Sequence, residues 1–438
     1  MAEAPIPSAE FVSPEFDRRG ARLRTSAWVL YDLANTVYAA TLTFLFTPWA
    51  VEALGGRTAL GFTQLASMVL AGLLVPLLGA LCDHTARTRG YLTLATLACI
   101  GAMAAWSFDL GGAWIIGCFF TANLAYNVSL LFYNSLLPAV ATEQRTGFVS
   151  GIGVGLGYFG TIVVLAVIMP LPIERRWTFA IAAALFLVTA LPCLLWVRDP
   201  RPARPGSARD AMRAAFRTTR TTLRELPRQR ALLWFLLGNF CLVDVLNTAV
   251  FFFADFTTKV FEPAAQAGSL SLFGLQLEGR PGLDKLLLIM GLALNVLALV
   301  FGIALGWLTD RAPLRVMRAS AVALFGALVG GAWFGGTSTV GYLLTLVTLG
   351  SFGLAGIWTA GRKVVLVLAP RDRTGEFFGL YGITTKLSVL GGAIYGLVAD
   401  HHGVKAGMLA QSLQLAIGLG CLAMVRLPKS GDAAAPNV

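Results

Sequence analysis

Three ionisable side chains, Asp32, Asp244 and Lys386, lie inside long apolar stretches of the sequence. A charged residue within a membrane-spanning helix costs about 3 kcal/mol on insertion scales, so each of them is a functional candidate by default. Asn35 and Asn247 follow the two aspartates by three residues, a spacing that places each pair on one helix face. One carboxylate is therefore expected to carry a proton or to bind a cation. The alternative is a structural Asp–Lys pair that holds two helices together.

A second polar pattern lies in the apolar stretch that contains Asn123, Asn127 and Asn134. Their spacing places the three amides on one helix face, and Tyr126 and Tyr133 form an adjacent face. The number of amides in one stretch favours a surface that lines a solute pathway. Hydrogen bonds that only join neighbouring helices are the alternative.

The elements that must position these side chains are membrane-spanning helices. The chain has 438 residues, of which 56% are hydrophobic and 13% are charged, roughly half the charged fraction of a soluble protein. A spanning helix needs about 20 mostly apolar residues, and this length predicts an all-α membrane protein with twelve transmembrane helices. The predicted spans, numbered 1 to 12, cover residues 26–54, 60–82, 91–109, 112–140, 147–170, 177–197, 231–255, 283–308, 316–335, 338–368, 376–399 and 404–426.

The distribution of basic residues predicts the orientation. Of the 34 Lys and Arg residues, 26 fall on one side of the predicted spans and 7 on the other, while Lys386 lies within a span. Both termini are therefore expected in the cytoplasm. The predicted organisation is a tail over 1–25, a six-helix bundle over 26–197, a linker over 198–230, a second bundle over 231–426 and a tail over 427–438.

The linker 198–230 contains arginines at helical spacing, opposite a less polar face. This pattern predicts an amphipathic helix on an anionic inner leaflet, and a solvated basic linker is the alternative.

The net charge of +11 then reflects topology and not nucleic-acid binding. The apolar run after residue 25 is too long for a cleaved signal. The six cysteines lack metal-site spacing, and the motif G-x-G-x-x-G over 155–160 lies inside a span, where glycines favour close helix packing. No enzyme activity, cofactor or metal is predicted.

Short repeated strings indicate that the two halves are duplicates. Each half carries an Asp-x-x-Asn-Thr string in its first span, a Gly-x-x-x-Asp string after its second, and Arg-Thr-Gly before its fifth. Two parallel six-helix halves are the build of the major facilitators, in which the halves rock about a site near the membrane midplane. The matched strings are 32–36 with 244–248, 79–83 with 306–310, and 145–147 with 373–375.

The repeated charges at the predicted inner ends of the spans are candidates for a cytoplasmic gate. A carboxylate at a helix end can pair with an arginine or with a neighbouring helix N-terminus, and so hold one conformational state. The alternative is that these charges serve only topology. The gate candidates are Asp83, Arg87, Arg145, Asp310, Arg311 and Arg373.

Three longer strings resemble the vacuole-effluxer-like family of major facilitators. They are Trp28–Asn35, Phe132–Pro138 and Pro370–Gly382, the last followed closely by Lys386. The resemblance covers most of the chain and implies a secondary carrier, with amino-acid efflux as the best-known activity of the family. It also implies that spans 1, 4, 7 and 10 line the cavity. The candidate pathway residues are Asp32, Asn35, Tyr38, Asn123, Tyr126, Asn127, Asp244, Asn247, Tyr381 and Lys386.

These observations predict a proton-coupled transporter that exports a small polar solute, an amino acid or a related compound, by alternating access. A lipid flippase on the same fold and a non-transporting membrane sensor are the alternatives. The expected partners are the small-molecule solute, protons and membrane lipids, for a monomer in the cell inner membrane. Asp244, which shares a half with Lys386, is predicted to be its paired, substrate-orienting carboxylate. Asp32 is predicted to gain and lose the coupled proton.

Overall fold

The computed structural model describes residues 18–85, 87–140, 156–157, 159–199, 207–368 and 374–426, nearly all of them helical. The helices of the first half are Arg18–Ala40, Thr47–Leu54, Thr58–Thr85, Thr88–Ala105, Gly112–Ser135, Phe159–Ile168 and Arg175–Trp196. The linker contains the helix Ala208–Glu225. The helices of the second half are Arg230–Phe251, Phe253–Gln266, Gly279–Arg311, Pro313–Phe334, Thr339–Tyr342, Thr348–Leu368, Thr374–Leu387, Leu390–His402 and Val404–Ala423. The π-helical segments Thr41–Phe46, Val164–Ile168 and Leu343–Val347 lie within spans 1, 5 and 10.

Ten helices among the described residues are long and apolar enough to cross a membrane. Span 3 is the helix Thr88–Ala105, and the described part of span 5 is a shorter apolar helix. Helical residues thus occur in each of the twelve predicted spans, and the prediction of an all-α membrane protein is confirmed. Leu94, Ile303 and Trp333 are 71%, 72% and 75% exposed, as expected for a surface that contacts lipid.

The segment 256–282, between predicted spans 7 and 8 on the predicted outer side, contains a helix that the predicted spans did not include. The helix Phe253–Gln266 follows Phe252 directly and buries most of its residues, Phe256 and Phe261 among them. Lys259 and Glu262 pair on its solvent side at 3.0 Å. Such charges lower the local hydropathy, which is why an amphipathic helix at this position was missed.

A short antiparallel hairpin completes this outer segment and is the only strand pairing among the described residues. Ser271–Leu272 pairs with Leu275–Gln276. The two turn residues, Phe273 and Gly274, have φ angles of 49° and 84°. Positive φ at both central positions suits the right-handed twist of a two-residue hairpin.

Span 11 was predicted as one continuous helix and is broken. Its inner piece ends at Leu387 and its outer piece begins at Leu390, with Ser388 and Val389 between them. A broken helix leaves backbone N–H and C=O groups without intrahelical partners, and these must be satisfied by other groups. The break therefore creates a local demand for polar side chains in the middle of the protein.

Glycines bring helices into close contact at several positions. Gly61 of span 2 lies against the backbone of Gly392 in span 11, so the two halves meet there. In span 5, Gly157 packs on Thr36 and Gly160 packs on the carbonyl of Leu33. The glycine motif of span 5 thus serves helix packing, as predicted from its position in a span.

The linker helix Ala208–Glu225 packs against span 2 and against the inner piece of span 11, so it touches both halves. Its arginines are exposed, as an amphipathic helix requires, and Phe216 is 62% exposed. Contact between this helix and an anionic leaflet stays a prediction. The exposed arginines are Arg209, Arg213, Arg217, Arg220 and Arg224.

Candidate functional site

The central contact between the two halves is a hydrogen bond from Lys386 to Asn127. Lys386 lies in the last turn of the inner piece of span 11, immediately before the break. Its Nζ donates to Oδ1 of Asn127 in span 4 at 2.6 Å. Span 11 is not among the spans that the resemblance implies as cavity-lining, and its lysine reaches one of them, span 4 of the opposite half.

Asn127 belongs to a chain of hydrogen bonds that continues to span 2. Its Nδ2 donates to the carbonyl of Asn123 at 2.8 Å, and Nδ2 of Asn123 donates to Oγ of Ser67 at 2.8 Å. Asn123 and Asn127 therefore lie on one buried face, as predicted, whereas Asn134 is exposed. Because its Nδ2 is used within span 4, Asn127 presents its Oδ1 to Lys386.

Asp244 does not pair with Lys386, and this part of the prediction is wrong. Its fully buried carboxylate accepts the backbone N–H of Gly391 at 2.7 Å and Nε2 of Gln414 at 2.6 Å. Gly391 is the second residue of the outer piece of span 11, so Asp244 caps that helix N-terminus. A carboxylate can satisfy the N–H groups that the break exposes, and the break was not predicted.

Asn247 serves the same break from one turn further along span 7. Its Nδ2 donates to the carbonyl of Ser388 at 2.9 Å. The predicted pair Asp244 and Asn247 thus shares one helix face, and that face binds the break in span 11. This geometry gives Asp244 and Asn247 a structural role, although not as the structural Asp–Lys pair that was the alternative.

The equivalent residues of the first half are not tied to a helix break in the part of the chain that the structure describes. Asp32 is half-buried, and the structure records no ion pair for it with any residue that it describes. Asn35 is 4% exposed, and neither atom of its amide finds a hydrogen-bond partner among the described residues. The hydroxyl of Tyr38 is also unpaired, although its ring stacks on Tyr126 at 4.4 Å. Buried polar atoms without partners are costly, so this group is open to a bound solute or water.

The repeat is visible as one shared hydrogen bond. Oγ1 of Thr36 donates to the carbonyl of Asp32 at 3.0 Å, and Oγ1 of Thr248 donates to the carbonyl of Asp244 at 2.9 Å. The backbone carbonyls of the two aspartates thus have the same kind of partner, whereas their carboxylates have different ones. The carboxylate of Asp244 caps the helix that begins after the break, and no helix N-terminus among the described residues is bound by Asp32.

Tyr381 lies in a polar cluster with Asn239, of which only Tyr381 was predicted as a pathway residue. Its hydroxyl has no partner among the described residues, and neither has the amide of fully buried Asn239 in span 7. Both face Gly361 of span 10, where an added Cβ would stand 2.6 Å from the tyrosine oxygen and 3.3 Å from Oδ1 of Asn239. Asn239 and Gln414 were missed, although an amide inside an apolar span is the signal that identified Asn123.

The predicted cytoplasmic gate is described only in part. Asp310 pairs with Lys363 at 2.9 Å and not with an arginine, and the guanidinium of Arg311 lies over the ring of Trp307 at 3.6 Å. Asp310 and Lys363 both belong to the second half, so this pair does not join the halves. Arg87 is exposed. The remaining candidates lie outside the described residues or side chains: Asp83, Arg145 and Arg373.

On the predicted outer side, an ion cluster does join the halves. Arg57, from the loop between spans 1 and 2, binds Asp255 through Nε at 2.6 Å and through Nη2 at 3.1 Å. Its Nη1 lies 3.4 Å from Asp400 at the end of span 11. Burial lowers the pKa of Arg57 and the Asp255 carboxylate raises it, and the net direction is upward. The arginine therefore stays charged.

Asp400 strengthens this closure by capping a helix of the other half. Its carboxylate accepts the backbone N–H groups of Arg57 and Thr58, each at 2.8 Å, at the start of the helix Thr58–Thr85. Nearby, the ring of Phe44 meets that of Phe253 edge-on at 5.9 Å. The halves are thus closed against each other at this end.

The family model of the Major Facilitator Superfamily matches residues 33–393. The chain belongs to the major facilitator superfamily. It is therefore an integral membrane transporter and not an enzyme. The matched region covers the central contact and most of both halves.

Curated relatives agree with this assignment. An uncharacterized MFS-type transporter, YxiO of Bacillus subtilis, is 24% identical over 92% of this chain and 94% of its own length. Autophagy-related protein 22 of Yarrowia lipolytica is 24% identical over 64% of this chain and 50% of its own length. The predicted resemblance to the vacuole-effluxer-like major facilitators is thereby confirmed.

Solved major facilitator structures share the fold. The nucleoside transporter NupG, in a D323A mutant, aligns with a TM-score of 0.75 and 16% identity, over 92% of this chain and 100% of that chain. A bacterial homolog to the human lysosomal transporter Spinster aligns with a TM-score of 0.70 and 13% identity, over 94% of this chain and 98% of its own. At these identities the likeness establishes the fold alone.

Proposed function

We propose that this major facilitator exports a small polar solute, an amino acid or a related compound, across the cell inner membrane in exchange for protons. The observation that carries the proposal is the bond from Lys386 to Asn127, a polar contact between the halves of an alternating-access fold. Unpaired polar atoms of Asn35 and Tyr38 lie in the same half as Asn127. They offer hydrogen bonds that a polar solute can complete.

Resemblance and chemistry both support an amino acid as the solute. The vacuole-effluxer-like family is best known for amino-acid efflux. A zwitterion needs a cation for its carboxylate and acceptors for its ammonium group. Lys386 supplies the cation, and the half-buried Asp32 and the amide of Asn35 supply oxygens.

Proton coupling is assigned to Asp32. Asp244 accepts two hydrogen bonds that are tied to the break in span 11, so protonation of Asp244 would weaken the fold at that point. Asp32 has no recorded ion pair among the described residues. It can therefore exchange a proton without loosening a helix cap.

Transport by purified protein in liposomes tests the proposal. A panel of labelled amino acids is offered with and without a pH gradient, and empty liposomes give the background. We expect at least one member to accumulate, and accumulation to collapse when an uncoupler removes the gradient. Absence of transport for the whole panel would refute the proposal, and movement of labelled lipids in its place would establish the flippase alternative.

A further inference from the structure

We infer that Lys386 binds the carboxylate of the transported solute and that this carboxylate displaces Asn127 from the lysine. The inference rests on the proposed function and names the chemical group of the solute that the site recognises. Its basis is an ammonium group between the two halves whose recorded hydrogen-bond acceptor is a neutral amide.

The protein supplies Lys386 with no anion among the residues that the structure describes. No described Asp or Glu oxygen lies within 4.0 Å of Nζ. Asp244, the carboxylate that the sequence suggested, is held by Gly391 and Gln414. An ammonium has three donors, and the structure records one hydrogen bond for this one.

The helix end compensates the charge only partly. Lys386 stands in the last turn of its helix, where the carbonyl end of the helix dipole stabilises a cation. This stabilisation is smaller than the cost of a charged residue inside a span. The remaining cost makes a charged ligand favourable at this position.

The stem of the lysine is fixed, so the ammonium has a defined position. An added Cβ on Gly72 of span 2 would stand 3.6 Å from Cβ of Lys386 and 3.1 Å from Leu387. Span 2 thus packs on the base of the side chain. The ammonium points to span 4, where Asn127 follows Tyr126 and its stacked partner Tyr38.

A carboxylate is the stronger competitor for this ammonium. An ammonium and a carboxylate attract each other as two full charges, whereas Asn127 offers only the dipole of a neutral carbonyl. A solute carboxylate would therefore take the place of its Oδ1. Because Lys386 and Asn127 belong to different halves, binding would release the polar contact recorded between span 4 and span 11.

Competition between amino acids and their carboxamides tests the inference. Binding of a labelled amino acid from the transport panel is measured in phosphatidylcholine liposomes, and unlabelled acid and unlabelled amide compete for it. For the unmodified protein we expect the acid to compete at least tenfold better than the amide. In Lys386→Gln this preference should fall to about one, and Lys386→Arg should keep it because the cation remains.

Three controls separate a recognition role from a structural one. Lys259→Gln removes an exposed lysine of the outer helix and should leave the preference unchanged. Asn127→Asp supplies a competing carboxylate and should weaken acid binding, even if Lys386→Gln fails to fold. Repeating the assay with phosphatidylglycerol in the liposomes tests for a lipid anion. Loss of the preference there would assign the site to a lipid headgroup and overturn the inference.

The outcomes also separate the inference from the proposed function. If the unmodified protein binds acid and amide equally, or Lys386→Gln keeps the preference, the carboxylate assignment is wrong while amino-acid transport stands. If the unmodified protein binds no member of the panel, the proposed function fails and the inference fails with it.

Discussion

Replacing Arg57 by Gln should open the outer side of the protein. Arg57 is the residue of the first half that binds both Asp255 of the helix after span 7 and Asp400 of span 11. The side chains of Arg57 and Asp255 are 11% and 2% exposed. Glutamine keeps some of the volume and removes the charge, so the carboxylate of Asp255 is left buried without its counter-ion.

The expected shift follows from the burial of this pair. Removing one partner of a buried ion pair costs about 3–5 kcal/mol, because the other charge remains desolvated. Partial exposure of Arg57 and Asp400 favours the lower end, about 3 kcal/mol. The cost falls on the closed state, since water solvates Asp255 once the halves separate. About 1.4 kcal/mol changes an equilibrium tenfold, so the ratio of outward-open to closed protein should rise on the order of 100-fold.

A cysteine at position 253 reports this ratio. Phe253 is 5% exposed and lies against Phe44 of the first half, so a thiol there reacts only when the halves part. Phe253→Cys is placed in a protein whose six native cysteines are replaced. An impermeant thiol reagent is then added from outside, and we expect the labelling rate to rise toward 100-fold in Arg57→Gln.

Arg175→Gln is the matched control. Arg175 pairs with Asp109 on the same side at 3.1 Å, but both are about half-exposed and both belong to the first half. Exposed ion pairs contribute about 0–1 kcal/mol to stability, and this pair lies within the first half and does not connect it to the second. Labelling should stay within a factor of two. An equal response of both variants, or none in Arg57→Gln, would refute the assignment of the outer closure.

The remaining predictions concern the central residues and the topology. Asp244→Asn removes the negative charge and one of the two oxygens that accept from Gly391 and Gln414, so it should lower the unfolding free energy by about 1–3 kcal/mol, measured as a lower Tm of the purified protein; an unchanged Tm would mean that the charge of the cap is not structural. Asp32→Asn should abolish solute accumulation driven by a pH gradient but retain counterflow, because exchange needs no net proton movement; pH-driven accumulation in this variant would contradict the coupling role. Alkaline-phosphatase fusions should be inactive within 198–230 and active at Gly274, and the reverse pattern would invert the predicted orientation.

The spans could be predicted because the membrane imposes a length of about 20 apolar residues on each. The break in span 11 could not. The pair Gly391 and Gly392 follows the break directly, but glycine pairs also serve close helix packing inside spans. The break is satisfied by Asp244 and Asn247 from a distant span, and these tertiary hydrogen bonds cannot be read from the sequence of span 11 itself.

The candidate site was predictable where one helix carries its own pattern. Asn123 and Asn127 stand one turn apart and are hydrogen-bonded, as their spacing suggested. Partners from different helices were not predictable. Lys386 was paired with Asp244 because both lie inside spans of one half, and it binds an amide of the other half. Arg57 was interpreted as a single charge that sets the topology, because the sequence around it does not show that two distant aspartates bind it.

The contacts of Arg57 and of Lys386 between the halves differ in what can replace them. Arg57 is bound to carboxylates that belong to the protein, so only water competes when the outer side opens. Lys386 is bound to a neutral amide, which an anionic solute displaces. A ligand shifts an equilibrium only by its difference in affinity for the two states. Suppose that the outer pair favours closure by about 3 kcal/mol. To offset this, the solute must bind the outward-open state on the order of 100-fold more tightly than the outward-closed state. A resting state closed on the outside suits an exporter, which takes its solute from within.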